Sequence, residues 1–501
     1  MSAQRIESLY QYFKTKILAQ KGVEKQLQQI QELIYFCWMN YPTRFSDLDL
    51  ENVLEKHLVP QQINPIDEGK KMLHVASTLF EVGGHTRCLI NTISNLHEYK
   101  HSVLLTRQSK PIPKNIEQFF VEHNIEVFCL DSKATILQKV STLAVHVKQL
   151  APNFIFSFHH PDDLVPIIAL TKITGIATVL YNHADHVYSI GARFFNKQLE
   201  FRETGMRISR TAKNVNNAPV QVLPLGARYV VVDKKIQKEK LAFHAYRSVV
   251  GTLTNFSKAM PYKNSPSIVE EFYQLAELHT DFCFLIIGLS EAQVESLIRK
   301  KILNNLKCLG IVPDPDLYYQ TMDFFVEPFP IGSGLGIIEA CQYGAIPLFS
   351  KHPVELCSTF EVFHPQVRAL FDKEVICKSL KDQLNWYLFD GQVDCDVISA
   401  KIEKNINRYH QGAEWSQSLM NLFSNVELNP LETDQEWINQ EAMFFQNYQM
   451  KNDTDFLLHI LSLKNLVDRK GIIFMFLKKM FQLSVINKKT KGKLLHRLIY
   501  G

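Results

Sequence analysis

Two successive series of short apolar runs, each run separated from the next by a segment of helical period, constrain this 501-residue chain more than anything else in it. The first series comprises Met72–Ser77, His101–Thr106, Ile125–Cys129, Phe154–Phe158 and Ala177–Tyr181. Amphipathic stretches, notably Ala134–Leu150 and Leu164–Thr174, fill the gaps. Gln221–Gly226 reads as an exit strand and turn. A second series follows: Val249–Leu253, Phe282–Ile287, Leu306–Leu309, Phe324–Val326 and Ile346–Phe349, with helical patterns over Ser265–Leu278 and Ser290–Lys301. Strands that alternate with helices predict parallel, doubly wound sheets. Two such sheets in tandem are expected to face each other across a cleft at the carboxyl ends of their strands, where open α/β sheets take ligands.

The flanking segments read differently. Leu9, Tyr12, Phe13, Ile17 and Leu18, then Leu27, Ile30, Leu33 and Ile34, recur at helical spacing. The polar stretch 61–71, with Pro65 and Gly69, reads as a linker. After Pro430 the pattern is helical again, and from Arg469 to Arg497 it is basic and apolar. The expected organisation is a helical extension over 1–68, a first α/β unit over 69–228, a second over 229–425 and a helical, basic tail over 426–501. The tail fits an anionic membrane surface or a solvated lysine face, and the residues leave both open.

Composition narrows the class. A net charge of +4 without an arginine-rich block gives no footprint for nucleic acid. No apolar run reaches the length needed to span a bilayer, and residues 1–7 lack a signal-peptide core. Nine scattered cysteines without C-x-x-C fit reduced thiols, so the expected compartment is the cytoplasm, with the inner membrane face as a possible peripheral location. H-E-x-x-H, Walker A and G-x-S-x-G are all missing.

The candidate chemistry lies at strand ends. Gly332-Ser333-Gly334 runs into a helical pattern that carries Glu339. Small residues admit a ligand close to the backbone, and a helix start offers free N–H groups and a positive dipole end to a diphosphate. Gly83-Gly84-His85-Thr86-Arg87 follows the first strand and could make a similar turn, or a plain connection with Arg87 on the surface. Asn182-His183-Ala184-Asp185-His186 sets two imidazoles and a carboxylate at another strand end, where an Asp can orient a His. His159–Asp163 is a second-rank cluster of the same kind. Lys258 and Lys263 follow the first strand of the second series; each is a phosphate clamp or a solvated lysine. Asp316 reads as a helix cap. Four D-x-D triplets begin at Asp47, Asp314, Asp394 and Asp453; their scatter argues against a shared metal role, and a lone His-x-x-His does not make a zinc site.

In this order the segments resemble glycosyltransferases of the GT-B fold, in the broad family-4 group (glycosyl transferases group 1), over roughly residues 70–425. The likeness rests on the Gly-Gly loop, the His-bearing strand end, the exit turn with Pro224 and Gly226, the Lys loop, Gly288, the Gly310 loop and the Glu339–Pro347 stretch. It implies two Rossmann-like domains facing a cleft and a metal-independent hexosyltransferase. The donor would be a nucleotide-diphosphate sugar, used as co-substrate and not as cofactor. The acceptor would be a glycan, a lipid-linked group or a protein. By the resemblance, Lys258 holds the donor diphosphate, with Lys263, Gly83, Gly84, Gly332, Ser333, Gly334 and Glu339 on the donor. His183, with Asp185 and His186, stands near the reacting sugar. Retention of anomeric configuration is implied by family 4. At the first position of that family's E-x7-E element the chain carries Ile331, and its Pro-Phe-Pro-x-Gly-Ser-Gly segment is similar to the donor loop of family 41. A nucleotide-sugar epimerase of the same architecture and a non-catalytic scaffold remain alternatives.

Overall fold

The computed structural model of the chain describes residues 3–40, 42–65, 71–213, 215, 220–223, 226–227, 234–262, 266–389, 394–424, 435–448, 459–460 and 462–466. The first sheet contains β1 (Lys71–Ala76), β2 (Lys100–Leu105), β3 (Glu126–Cys129), β4 (Phe154–Phe158), β5 (Ala177–Tyr181), β6 (Lys197–Glu200) and β7 (Val220–Val222). Their spatial order is β3-β2-β1-β4-β5-β6-β7, with every neighbouring pair parallel. The second sheet contains β8 (Ser248–Leu253), β9 (Phe282–Ile287), β10 (Leu306–Cys308), β11 (Phe324–Val326) and β12 (Ile346–Leu348). Its order, β10-β9-β8-β11-β12, is also all parallel. Central strands such as β9 are apolar at every position because helices cover both faces. In each sheet the order reverses next to the first strand, between β1 and β4 and between β8 and β11. The loops leaving those strands splay apart there and open a crevice.

β6 was not visible as a strand in the sequence. Lys-Gln-Leu-Glu has neither an apolar run nor alternation, yet Gln198 and Glu200 are buried. Their polar groups are satisfied inside: Gln198 donates to Ser209 Oγ at 2.7 Å, and Asn182 Nδ2 and Ser209 Oγ donate to Glu200 at 2.7 and 2.6 Å. A second correction concerns the helix expected over Leu164–Thr174, which stops at Leu170. Residues 173–174 instead pair in parallel with 61–62, so part of the expected linker is strand.

The N-terminal helices Ala3–Leu18, Val23–Asn40 and Leu48–Glu55 form a layer of the first lobe. Tyr10, Phe13, Leu27, Leu33 and Phe36 share one core with Leu73, Val75 and Ile155 of β1 and β4. Ile460, Leu463 and Leu466 return to the same core, where Asn465 N donates to Glu32 Oε2 at 2.8 Å. The other face of the first sheet belongs to a core continuous with the second lobe. The chain crosses back through Ala227 N, which donates to His410 O at 2.7 Å, and the helix Gly412–Ser424. Gly226 lies close against Trp415 at that crossing, where a Cβ would stand 3.0 Å from the ring. The basic stretch from Arg469 lies outside the described residues. No helix among the described residues is long and apolar enough to cross a membrane.

Candidate active site

The crevice between the lobes has a volume of about 590 Å³, and the Gly83–Gly84, His183–His186, Lys258 and Gly332–Gly334 loops all line it, whereas the His159–Asp163 cluster does not. From the second lobe comes the helix Gly334–Cys341, whose N-cap Ser333 makes no side-chain capping bond. From the first lobe comes the helix Gly84–Asn95, whose N-cap Gly83 has no side chain to cap with. Two helix starts with unsatisfied N–H groups therefore line one cleft from opposite sides. A Cβ on Gly83 or Gly84 would meet nothing within 4 Å, so these glycines leave open space rather than fill a tight spot. Gly332 is the opposite case: a Cβ there would lie 2.4 Å from Thr359 Cγ2 and 2.8 Å from the Cys357 carbonyl oxygen.

Lys258 sits in the turn after β8, where its backbone N–H bonds Asn255 Oδ1 at 3.0 Å. Its ammonium donates to the Gly332 carbonyl at 3.0 Å, which puts the cation directly on the glycine turn. Burial lowers its pKa from the ordinary lysine value, and the Arg202 guanidinium adds to the shift. An incoming anion would relieve both effects. Lys263 lies outside the described residues.

The turn is braced from behind by Glu327, a fully buried residue directly after β11. Glu327 Oε2 lies 2.9 Å from His352 Nε2, and His352 Nδ1 donates to Pro330 O at 3.0 Å. Burial alone would lower the His352 pKa; the Glu327 carboxylate outweighs it and holds the pKa above the usual histidine value.

On the first lobe, Asp185 is not free to orient a catalytic base on its own. Arg202 clamps it with Nε and Nη2 at 2.5 and 2.7 Å, and Asp185 Oδ1 also accepts from the His186 N–H at 2.8 Å and lies 3.2 Å from His186 Nδ1. That guanidinium holds the Asp185 carboxyl far below the carboxylate range despite complete burial. Arg202 Nη1 reaches across to Ser358 O at 2.8 Å, so one residue ties the His183–His186 loop to the opposite lobe. Arg202 lines the cleft and was not picked out from the sequence. Its only signal was a lone arginine after an unrecognised strand.

His183 lies on the cleft wall with Nδ1 buried and unpartnered. Burial drives its pKa well below the usual value, with His85 contributing, so the ring is neutral at pH 7. It packs on His85 at 4.6 Å between ring centroids, and His85 packs on His160 at 4.8 Å. A neutral imidazole on a cleft wall can take one hydrogen bond with a hydroxyl.

Two sequence readings change. Arg87 is no surface residue: it donates to Glu339 Oε1 at 2.9 Å and to Asp316 Oδ1 at 2.6 Å, both on the opposite lobe. Glu339 thus spends one carboxylate oxygen on Arg87 and faces a neighbouring hollow of about 320 Å³ that shares Gly83, Gly84 and Ser333 with the main cleft. Asp316 does not cap its helix, whose N-cap is Pro315; Asp314 Oδ1 accepts the Asp316 N–H at 3.2 Å instead. The triplets at Asp47 and Asp394 are also local, each beginning with the N-cap of a helix; the one at Asp453 lies outside the described residues. Among the described residues no three His, Cys, Asp or Glu side chains gather so as to hold a metal ion.

No protein-family model and no curated protein matches the chain. Among solved structures it is similar to Anabaena HepE in complex with UDP and glucose, at 14% identity over 71% of this chain and 100% of that one, with a TM-score of 0.52. It is also similar to TarM, at 10% identity over 72% of this chain and 100% of that one, with a TM-score of 0.50. The chain has the GT-B fold. The N-terminal helical layer packs as part of the first lobe.

Proposed function

We propose that the protein is a glycosyltransferase that uses a nucleotide-diphosphate sugar, without a metal ion. The observation that carries this reading is the contact of Lys258 Nζ with Gly332 O at the uncapped start of one helix, facing the open Gly83–Gly84 start of another. Sugar transfer leaves charge on the β-phosphate of the departing nucleotide. Fixed N–H donors and a cation aimed at that charge lower the barrier without reorganising. In this reading Lys258 and Ser333–Gly334 take the diphosphate, with Gly83 and Gly84 admitting it close to the backbone. Arg202, its charge matched by Asp185, holds the His183–His186 loop against the opposite lobe. His183 hydrogen-bonds a hydroxyl of the reacting sugar or acceptor. The cleft excludes water that would otherwise hydrolyse the donor.

The similar structure of HepE holds UDP and glucose, which supports a uridine or related nucleotide here. The order of motifs supports a hexosyltransferase that retains anomeric configuration, with Ile331 standing on the cleft wall where family 4 has a glutamate.

A panel of nucleotide sugars tests this. At least one should raise the melting temperature by mass action and be consumed slowly by water or by an added acceptor. Release of an altered but intact nucleotide sugar would mark an epimerase. No stabilisation by any nucleotide sugar would refute donor binding.

A further inference from the structure

A ladder of rings leaves the cleft at His183. His85 and His160 follow; Phe80 lies parallel to His160, with 3° between planes and 5.8 Å between centroids. Trp38 meets His160 edge-on at 6.1 Å, and Tyr35 meets Trp38 at 6.4 Å. Trp38 and Tyr35 belong to the helix Val23–Asn40 of the N-terminal layer. Phe80 is 47% exposed and Tyr35 37%, so the ladder has a wet face. At its far end opens a separate hollow of about 330 Å³, lined by Tyr35, Gln28, Gln31, Arg107, Lys139 and Asp162. Arg107 and Asp162 form a planar bidentate pair at 2.8 and 2.9 Å. Lys139 is only 8% exposed, and its ammonium lies in the field of Asp163 and Asp131. A cation at the wall of a hollow can pair with ligand oxygen atoms.

Resting on the donor reading above, we propose that this ladder and hollow form the acceptor path, and that the acceptor is an oligosaccharide running from the hollow to His183. A pyranose presents an apolar C–H face and a rim of hydroxyls. The faces pack on Tyr35, Trp38 and Phe80, as apolar groups pack on aromatic platforms. The hydroxyls pair with the amides of Gln28 and Gln31, with the Arg107–Asp162 pair and with Lys139. A peptide acceptor bound by strand addition would need a free strand edge. The path instead crosses the ends of β1 and β4, which are central strands with both edges paired.

The test uses the full chain with cellotetraose, chitotetraose and a serine-rich peptide, and UDP as a donor-site control. A tetrasaccharide should change tryptophan emission through Trp38, one of four tryptophans, and Trp38→Phe should abolish that change. Phe80→Ala, at an exposed position, should weaken tetrasaccharide binding about tenfold in calorimetry and leave UDP binding unchanged. The proposal is overturned by tetrasaccharide affinity that survives both substitutions. It is equally overturned if no tetrasaccharide binds while UDP does, or if the peptide alone perturbs Trp38. Failure of UDP and other nucleotides to bind the unaltered chain removes the donor reading and this proposal together.

Discussion

At the scale of single residues, the cleft divides its charges into those available to a ligand and those already committed. Among the described residues the Lys258 ammonium meets a backbone carbonyl and no carboxylate, so its charge is uncompensated there. Lys258→Ala should therefore lower turnover at saturating donor on the order of a hundredfold, the usual effect of losing one charge-stabilising donor; steady-state rates at high donor concentration read this directly. Asp185 is committed, and so is Glu200 behind it. Burial, with Asp185 adding, pushes the Glu200 carboxyl up to about 7. As pH rises from the ordinary carboxylate range towards 7, the unfolded chain gives up that proton before the folded one does. Stability from this residue falls over that window and is level above it. Glu200→Gln should flatten the slope, making the variant more stable than the parent at pH 8 by about 3 kcal/mol at most; urea denaturation at pH 5 and pH 8 measures it. Lys258 and the Gly332–Gly334 turn were legible because small residues and a lysine after strand ends are local signals. Arg202 and Glu200 were not, because their significance comes from β6, whose polar sequence hides a strand.

At the scale of elements, strand-end loops carry the site and a few cross-lobe contacts hold them in register. Gly332 has no room for a methyl group against Thr359 and the Cys357 carbonyl. Gly332→Ala should push the turn off Lys258 and weaken donor binding about tenfold or more, with circular dichroism unchanged. Arg87 joins the helix Gly84–Asn95 to Asp316 and Glu339 across the gap. Arg87→Met takes a cation away from two buried carboxylates and should cost about 3–5 kcal/mol, seen as a lower melting temperature. Adding Glu339→Gln to that variant should recover part of the loss. The central strands could be read to within a residue or so, since their apolar runs match a sheet covered on both faces. The end of the helix at Leu170 could not, because residues 173–174 gain their strand pairing from 61–62, more than a hundred positions away.

At the scale of the whole molecule, two doubly wound lobes present opposed helix starts to one crevice, and the N-terminal helices widen the first lobe. The two-lobe plan was legible from strand–helix alternation. The merging of the helices with that lobe was not: their helical period announces an apolar face, not what covers it. Burial of Tyr10, Phe13 and Phe36 against β1 and β4 supplies that answer. This layer brings Trp38 beside His160 and so ties the flank of the molecule to the cleft.

Calorimetric titration of UDP, UMP and uridine, with GDP and GMP in parallel, tests the diphosphate clamp most directly. The clamp predicts that one diphosphate binds at least about tenfold tighter than its monophosphate, and that Lys258→Ala removes most of that difference. Equal binding of diphosphate and monophosphate, or a preference untouched by Lys258→Ala, would contradict it.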